Sequence, residues 1–559
     1  MPPHAPALPH AGLSWPDYAA VGGYLLLTLG IVAWSSRRQK NTEDFFLGGR
    51  RMPSIAVGLS IMATLLSTIT YLGLPGEVVK NGIAIFAGYL AYPFAMAFIL
   101  LLLVPFFMRL RMTSAYEYLQ RRFDYRARLL GGLLFLLLRL GWISVVVYTA
   151  SLALVEMTHG PLVALLDKTM LAGCEPLYCV IVAVGLASTV YACMGGMRAV
   201  IWTDVLQSFM LFGGAGLIVG YVMWTTGAGP SQWWDRASQF SSGHTSPPWF
   251  SFDPTVRITV FTSIIMSFTW NICTHGSDQV VLQRYFTTDS LASASKSYIV
   301  SVVSQIGIGF LLALSGLALL YFYLENPHHL PEGMSALESA DKVMPHFYAH
   351  QLPVGLGGLI LASFLCDAMQ TLVSGVNSIT AVATQDLLDR SSDAPGGQKE
   401  LAFARLLTLG VGLVVTFLAC GVAMMAMESK LNIIDLNQRS FNMFLGPLGA
   451  LFFIGMFLPR CTSRSAVPAT VLGVMVALTW SYWHELCLAA THVLPSPAAD
   501  VVQGWSRHVP SMALAVAVPC LATFVIAAVL GQIVDSREHA GRDYSWRAVM
   551  RRPRETASE

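Results

Sequence analysis

Oxygen-bearing side chains are concentrated within one long apolar run, in the stretch CDAMQTLVSGVNS at residues 366–378. Five of them recur at intervals of three and four residues, which places them on one face of an α-helix. Such a stripe is typical of a hard-cation site or of the wall of a water-filled cavity, although hydroxyl groups also suit close helix packing. The carboxylate favours a cation site or cavity, because an ionisable group is costly within a bilayer. The residues of the stripe are Asp367, Gln370, Thr371, Ser374 and Ser378.

Two more ionisable residues lie within apolar runs, and each has two interpretations. Arg139, in LLFLLLRLGWISVVVYTA, forms either an ion pair with a carboxylate elsewhere in the bundle or a clamp for an anionic substrate group. Asp204, at the end of GGMRAVIWTD, is either a carboxylate satisfied near a helix end or a ligand for a cation or a proton.

Two apolar runs are interrupted by residues that disfavour a regular helix. MATLLSTITYLGLPGEVV at residues 62–79 contains Gly73, Pro75 and Gly76, and WNICTHGSDQVVLQRY at residues 270–285 is a second, polar interruption. Unwound backbone is tolerated in a membrane protein where it lines a cavity, and paired broken helices mark the midplane site of many transporters. Ion and substrate are therefore expected near both interruptions. The sequence has no nucleophile motif, phosphate loop or metal-ligand spacing, so an enzyme is not predicted.

A bundle of membrane helices must hold these residues. The 559-residue chain is 55% hydrophobic and 12% charged, with mean hydropathy +0.58. Apolar runs recur that are long enough to cross a hydrocarbon layer of about 30 Å. We expect an all-α polytopic membrane protein with about thirteen transmembrane helices. The predicted spans are 17–36, 53–80, 83–110, 127–158, 172–194, 198–226, 257–285, 294–324, 352–388, 401–427, 433–458, 466–485 and 510–533.

The distribution of basic residues predicts an orientation. If the N-terminus lies outside, most of the 34 Lys and Arg residues, Arg284 among them, fall in cytoplasmic loops and the tail, as the positive-inside rule requires. The first apolar run is too long for a signal-peptide core, so we expect it to be a retained helix. The prediction is a multi-pass protein of the cell membrane with a cytoplasmic C-terminus. The scattered basic residues argue against nucleic-acid binding.

An ordered set of motifs resembles the sodium:solute symporter family over about residues 40–485. The motifs are TEDFFLGGRRMP, YLGLPGE, YACMGGMRAVIWTDVLQ, SDQVVLQRYFTTDSLASASKS, ATQDLL and GPLGALFFIGMFLPRCTSRSA. Members of this family include sodium–glucose, proline, iodide, monocarboxylate and sialic acid cotransporters. The resemblance implies a LeuT-like core of two inverted five-helix repeats, preceded by one helix and followed by two. The implied divisions are 1–52 for the N-terminal helix and loop, 53–226 and 257–458 for the repeats, 459–533 for the additional helices and 534–559 for the cytoplasmic tail.

The resemblance also implies a sodium site between core helices 1 and 8. Backbone carbonyls of Ala63 and Leu66 match the ligands from core helix 1, and Asp367, Gln370 and Thr371 match those from core helix 8. The family usually has a small residue at the first of these helix-8 positions and hydroxyl residues at the other two. Only Thr371 keeps that pattern, which leaves the coupling ion open between sodium and a proton.

A second cation or proton site of some family members matches Asp204 and Ser374. The implied substrate positions are Ser67, Thr70, Arg139, Asn271, Thr274 and Gln279. Thr274 replaces a tyrosine that often forms the inner gate of the sugar-transporting branch. The stretch WISVVVYTASLAL is more similar to the iodide and monocarboxylate branch. Together with Arg139, this similarity favours an anionic solute.

The expected function is therefore sodium-coupled symport of a small organic solute by alternating access, with sodium ion as the cofactor. An anion such as a carboxylate or an acidic sugar is the favoured solute, and the protein is expected to act as a monomer in a lipid bilayer, with no nucleic-acid partner. One alternative keeps the fold but couples transport to protons through Asp367 or Asp204. The other is a transport-dead sensor, which an atypical ligand set would suit.

Overall fold

The computed structural model describes residues 13–36, 48–110, 112, 114–169, 173–192, 197–242, 248–330, 337, 340–383, 398–429, 433–535 and 540–552. These residues form helices and connecting loops, and no β-strand occurs among them. The TQD at 384–386, from which the helix-8 positions are counted, lies outside the described residues, as do the ends of the predicted N-terminal and C-terminal segments.

The first half of the described chain contains one helix before the first broken helix and six helices after it. The bounds are α1 Trp15–Ser36, α2 Ser54–Leu65, α3 Thr68–Asn81, α4 Ile83–Leu110, α5 Ala115–Arg122, α6 Tyr125–Leu166, α7 Pro176–Ala192, α8 Met197–Thr226 and α9 Pro230–Ser242. The helix α4 begins as a 3-10 helix and contains a π-helical turn at Ile99–Leu103.

The second half begins with another broken helix. The bounds are α10 Val260–Ser277, α11 Gln279–Phe286, α12 Leu291–Glu325, α13 Ala340–His350, α14 Leu356–Val382, α15 Gln398–Ser429, α16 Ile433–Asn437, α17 Met443–Phe457, α18 Ser463–Ser481, α19 Trp483–Thr491, α20 Ser496–Ser506, α21 Ala517–Ile533 and α22 Trp546–Arg551. Short 3-10 helices are found at Gly48–Arg50, Pro327–His329, Met512–Leu514 and Ala540–Tyr544, and a π-helical turn joins α16 to α17 at Gln438–Asn442.

Every predicted span contains helix. Eight helices of the described residues are long and apolar enough to cross a membrane, and ten spans result if each of two bent pairs counts as one. The helices Pro176–Val190 and Met443–Phe457 are apolar but shorter. The count of about thirteen spans therefore exceeds what length and hydropathy alone support, because helices that are short or divided do not meet both criteria.

The first interruption lies earlier than Gly73, Pro75 and Gly76 suggested. The helix breaks at Leu66 and Ser67, and α2 and α3 are bent by 59° relative to each other. Pro75 and Gly76 lie inside α3. A Cβ at Gly76 would lie 2.8 Å from Oδ1 of Asp341 on α13, so this glycine permits close packing.

The second interruption is confirmed, and the helix α14 lies at the centre of the bundle. The chain leaves helical geometry at Asp278, between α10 and α11. The helix α14 packs against α1, α6, α7 and α8. Of its most apolar window, 78% is buried, the largest share for any candidate span of the described residues. The polar stripe on α14 therefore faces other helices and not lipid.

Candidate functional site

All five stripe residues of α14 are buried, with at most 5% of their surface exposed. The carboxylate of Asp367 reaches the break in the first broken helix. Its Oδ2 accepts hydrogen bonds from the backbone N–H of Thr68, at 2.5 Å, and from the Thr68 hydroxyl. Its Oδ1 accepts a hydrogen bond from the side-chain amide of Gln207 on α8.

Asp367 therefore caps α3 from another helix. Thr68 is the first residue of α3, and the N-terminus of a helix carries unpaired N–H groups and a partial positive charge. A carboxylate at that point satisfies these groups, which a small residue without a side-chain acceptor could not do. Within the described residues, Asp367 has no ion-pair partner.

The other sequence-predicted ligands of the sodium site lie along the same seam. The helix α2 ends at Leu65, so the carbonyls of its last turn, including that of Ala63, have no partner from a continuing helix. Leu66 lies at the break itself. Gln370 is 3% exposed, and both its amide oxygen and its amide nitrogen lack hydrogen-bond partners. Buried polar groups are nearly always satisfied, so these unpaired atoms favour a polar ligand at this position.

The second break is capped by its own aspartate. Oδ1 of Asp278 accepts a hydrogen bond from the backbone N–H of Val280, at 3.0 Å, and so caps α11. Arg139 on α6 donates through Nε to Oδ1 of Asp278, at 3.1 Å, and through Nη2 to its Oδ2. The Arg139 guanidinium also lies 4.5 Å from the centroid of the Trp142 ring. The ion pair proposed for Arg139 is thus present, while its Nη1 has no hydrogen-bond partner among the described residues.

Asp204 is also paired with a guanidinium. Its Oδ2 accepts hydrogen bonds from Arg284 Nη2, at 3.1 Å, and from the Ser60 hydroxyl, at 2.5 Å. Arg284, which the sequence assigned to a cytoplasmic loop, is fully buried. That assignment is corrected because α11 continues to Phe286, and its last turn lies inside the bundle instead of in water.

A cavity of about 200 Å³ lies beside both breaks. Five predicted substrate residues line it: Ser67, Thr70, Arg139, Asn271 and Thr274. Gln279 does not line it, because its side-chain oxygen accepts a hydrogen bond from the backbone N–H of Ala115 at 2.7 Å. The sequence did not predict the other polar and aromatic residues of the wall, which include Tyr89, Tyr92, Trp142, Trp270, Gln305, Asn437, Gln438 and Asn442.

Sequence reasoning missed four residues of the polar centre. They are Thr68, Gln207, Asp278 and Arg284. An aspartate directly before an apolar helical run is a helix N-cap signal, so Asp278 was detectable in the sequence. Gln207 and Arg284 have no local signal, because their partners lie on helices far away in the chain.

A second cluster of charges holds the far end of α3. Arg257 binds Glu77 of α3 and lies 3.0 Å from Oδ1 of Asp435 on α16. Asp341 on α13 accepts a hydrogen bond from the backbone N–H of Ile433 at 3.0 Å. Burial raises the pKa of Asp341 to about 6, and the negative charges of Glu77 and Asp435 act in the same direction.

Comparison with known proteins identifies relatives over most of the chain. A sequence model of the sodium:solute symporter family matches residues 45–473. The chain is 30% identical over 474 residues to the sodium/sialic acid symporter SiaT of Proteus mirabilis (strain HI4320), covering 84% of this chain and 90% of that protein. It is 28% identical over 503 residues to the human sodium/iodide cotransporter, covering 87% and 73% of the two chains.

The fold is similar to that of a solved sodium-coupled sialic acid symporter in a substrate-bound, outward-open state. The TM-score is 0.75 at 26% identity, and the match covers 94% of this chain and 100% of that chain. This likeness confirms the predicted LeuT-like fold. The family match confirms that the chain is a transporter and not an enzyme. The chain therefore belongs to the sodium:solute symporter family, as a multi-pass membrane protein that couples symport of a solute to sodium by alternating access.

Proposed function

We propose that the solute is a small organic anion and, more specifically, an acidic sugar. The observation that carries this proposal is the position of Arg139 in the cavity wall. Two of its nitrogens hold Asp278, and Nη1 is left to donate to a ligand. A guanidinium keeps its charge at any physiological pH and is well suited to a carboxylate.

The rest of the cavity wall suits a sugar better than a short monocarboxylate. Side-chain amides and hydroxyl groups, including those of Thr70, Asn271 and Gln305, can pair with hydroxyl groups of a sugar. Aromatic side chains such as Tyr92 and Trp270 offer apolar surface to the faces of a ring. Four relatives are 30% identical to this chain over nearly the same number of residues. The two sodium/sialic acid symporters among them are matched over 90% and 87% of their lengths and the two sodium-coupled monocarboxylate transporters over 72%, which supports the acidic sugar as the substrate class.

We propose that the coupling sodium is held between the first broken helix and α14. The ligands would be the carbonyls of Ala63 and Leu66 with side-chain oxygens of Asp367, Gln370 and Thr371. The unpaired amide of Gln370 and the absence of an ion-pair partner for Asp367 within the described residues support this donor set. Carboxylate, amide, hydroxyl and carbonyl oxygens together suit a hard cation. A bound sodium would supply a positive charge to a carboxylate that is otherwise compensated only by hydrogen bonds.

Ion and solute are coupled because they share one broken helix. Asp367 holds the start of α3 through Thr68, and Ser67 and Thr70 on either side of Thr68 line the cavity. A change that fixes Asp367 against α3 therefore also fixes two groups of the cavity wall. Coupling is reciprocal, so the solute must strengthen sodium binding by the same factor.

The arrangement in the membrane is part of this proposal. We infer that residues 53–226 and 257–458 form the two inverted repeats, that the N-terminus lies outside and that the C-terminus is cytoplasmic. The corresponding breaks α2–α3 and α10–α11 support the division into repeats. The protein is proposed to act as a monomer in a lipid bilayer.

A thermal-shift screen of the purified protein tests the proposal. Sialic acid should raise the unfolding midpoint in sodium and should have little effect in choline at equal ionic strength, because only a ligand of the folded state stabilises it. A response to lactate but not to sialic acid would overturn the substrate class. Thr371→Ala should raise the sodium concentration needed for half of the effect, whereas Ser363→Ala, elsewhere on α14, should not. Unchanged sodium dependence in Thr371→Ala would remove Thr371 from the site.

A further inference from the structure

The guanidinium of Arg284 lies at the meeting point of four core helices. Its Nε donates to the Ser60 hydroxyl of α2 at 2.8 Å, and its Nη1 donates to the carbonyl of Val280 in α11 at 2.9 Å. Its Nη2 donates to Oδ2 of Asp204 on α8 and to the Ser374 hydroxyl of α14, both at 3.1 Å. Arg284 is fully buried, so these four groups replace water around it.

Asp204 and Ser374 are the two residues that the family resemblance assigned to a second cation. Here their side-chain oxygens accept hydrogen bonds from a cation that belongs to the protein. Val373, the residue before Ser374 on α14, is buried and has no side-chain oxygen that could bind a cation. A guanidinium does not lose its proton at physiological pH, so this positive charge is permanent.

Oδ1 of Asp204 accepts no hydrogen bond among the described residues, but a sodium ion bound there and at Ser374 would lie beside a buried guanidinium that already neutralises this carboxylate. The two positive charges would repel each other, and a guanidinium displaced from Asp204 would remain buried without compensation, which is strongly unfavourable. Asp367 differs from Asp204 because it has no guanidinium partner within the described residues. Asp367 thus offers a site for a free cation, whereas the carboxylate of Asp204 is already neutralised by Arg284.

We propose that Arg284 is the resident cation of the Asp204–Ser374 position, and that the symporter binds one sodium ion per solute, at the site formed with Asp367. This inference rests on the sodium site proposed above. If the solute carries one negative charge, one sodium ion and one solute molecule together move no net charge. The ratio of solute inside to outside at equilibrium should then be independent of the membrane potential.

Binding of ²²Na⁺ to the purified full-length protein at constant ionic strength tests this inference without a solute. The wild-type protein should bind one ion per chain, with a Hill coefficient of one. Two ions per chain would overturn the inference and leave the proposed function standing. No sodium binding would overturn both, so the two failures are distinguishable.

Two variants sharpen the result. Arg284→Gln leaves the charge of Asp204 uncompensated, and a second bound sodium ion should appear in the isotherm. Arg284→Lys keeps a positive charge at this position and should bind one ion, as the wild type does. A single site in a folded Arg284→Gln protein would contradict the inference. If that variant does not fold, the stoichiometry of the wild-type protein still decides the question.

Discussion

The two helix breaks are alike in that an aspartate caps the second half-helix, but they differ in what balances the charge of that aspartate. At each break, an aspartate accepts hydrogen bonds at the start of the second half-helix. At the α10–α11 break the aspartate is Asp278, within the broken helix itself, and Arg139 neutralises it. At the α2–α3 break the aspartate is Asp367, which comes from α14 and has hydrogen-bond donors but no cationic partner among the described residues.

The difference lies in the partner of each aspartate: Asp278 has a guanidinium partner within the protein, whereas Asp367 has only hydrogen-bond donors among the described residues. The Asp278–Arg139 pair neutralises its own charge and leaves one guanidinium nitrogen toward the cavity. Asp367 connects three helices through hydrogen bonds and has no cationic partner among the described residues, so a bound cation would balance the charge of its ionised form. We therefore propose that the α10–α11 break recognises the anion and that the α2–α3 break binds the cation.

The largest effect is expected from separating the pair at the α10–α11 break. Arg139→Gln should cost about 3–5 kcal/mol of stability, because it leaves the buried charge of Asp278 unpaired. The double variant Arg139→Gln/Asp278→Asn should recover most of that loss in thermal unfolding. It should still fail to be stabilised by sialic acid. If sialic acid stabilises the double variant as it does the wild type, Arg139 serves only to hold Asp278.

Neutralising the aspartate at the α2–α3 break should affect sodium binding more than stability. Asp367→Asn keeps only one acceptor oxygen, so a hydrogen bond from Thr68 or Gln207 is lost and stability without sodium should fall by about 1–3 kcal/mol, less than in Arg139→Gln. The sodium concentration for half-maximal ²²Na⁺ binding should rise at least about tenfold, as is common when a metal site loses a supporting group. An unchanged sodium affinity would show that Asp367 only caps α3. Ser363→Ala on the same helix is the control.

The smallest effect is expected on the pH dependence of stability, from Asp341, which packs against the far end of α3. The pKa of Asp341 is raised from 3.8 to about 6, so the folded protein holds this proton more tightly than the unfolded chain does. The resulting stabilisation is present at low pH and is lost as the pH rises through 6. Asp341→Asn should therefore flatten the fall in unfolding midpoint between about pH 4 and pH 7.

Asp253 provides a matched control for this pH dependence. It is an exposed loop carboxylate whose pKa is lowered by hydrogen bonds from Thr255. Asp253→Asn should leave the slope between about pH 4 and pH 7 unchanged. If Asp341→Asn and Asp253→Asn give the same slope as the wild type, the far end of α3 does not depend on the protonation of Asp341.

Much of the architecture could be predicted from local patterns. Apolar runs located the membrane helices, and the spacing of Asp367 and Ser374 predicted a polar stripe that the structure buries. Residue composition alone did not locate the first break, although the family resemblance placed the carbonyl ligands Ala63 and Leu66 next to it. Gly73, Pro75 and Gly76 suggested unwinding, but Pro75 and Gly76 stay helical and the chain opens at Ser67. The opening depends on Asp367, almost 300 residues away, which satisfies the N–H of Thr68.

The order of the residues alone establishes a multi-pass membrane protein, its family and the identity of most polar residues at its centre. Hydrophobic periodicity and ordered motifs are local properties, so they can be recognised from the order of the residues. Ion-pair partners are not determined locally, because the pairing of Arg139 with Asp278 and of Arg284 with Asp204 depends on how distant helices pack. The folded bundle thus determines which of these buried carboxylates are neutralised by an arginine and which are held by hydrogen bonds alone.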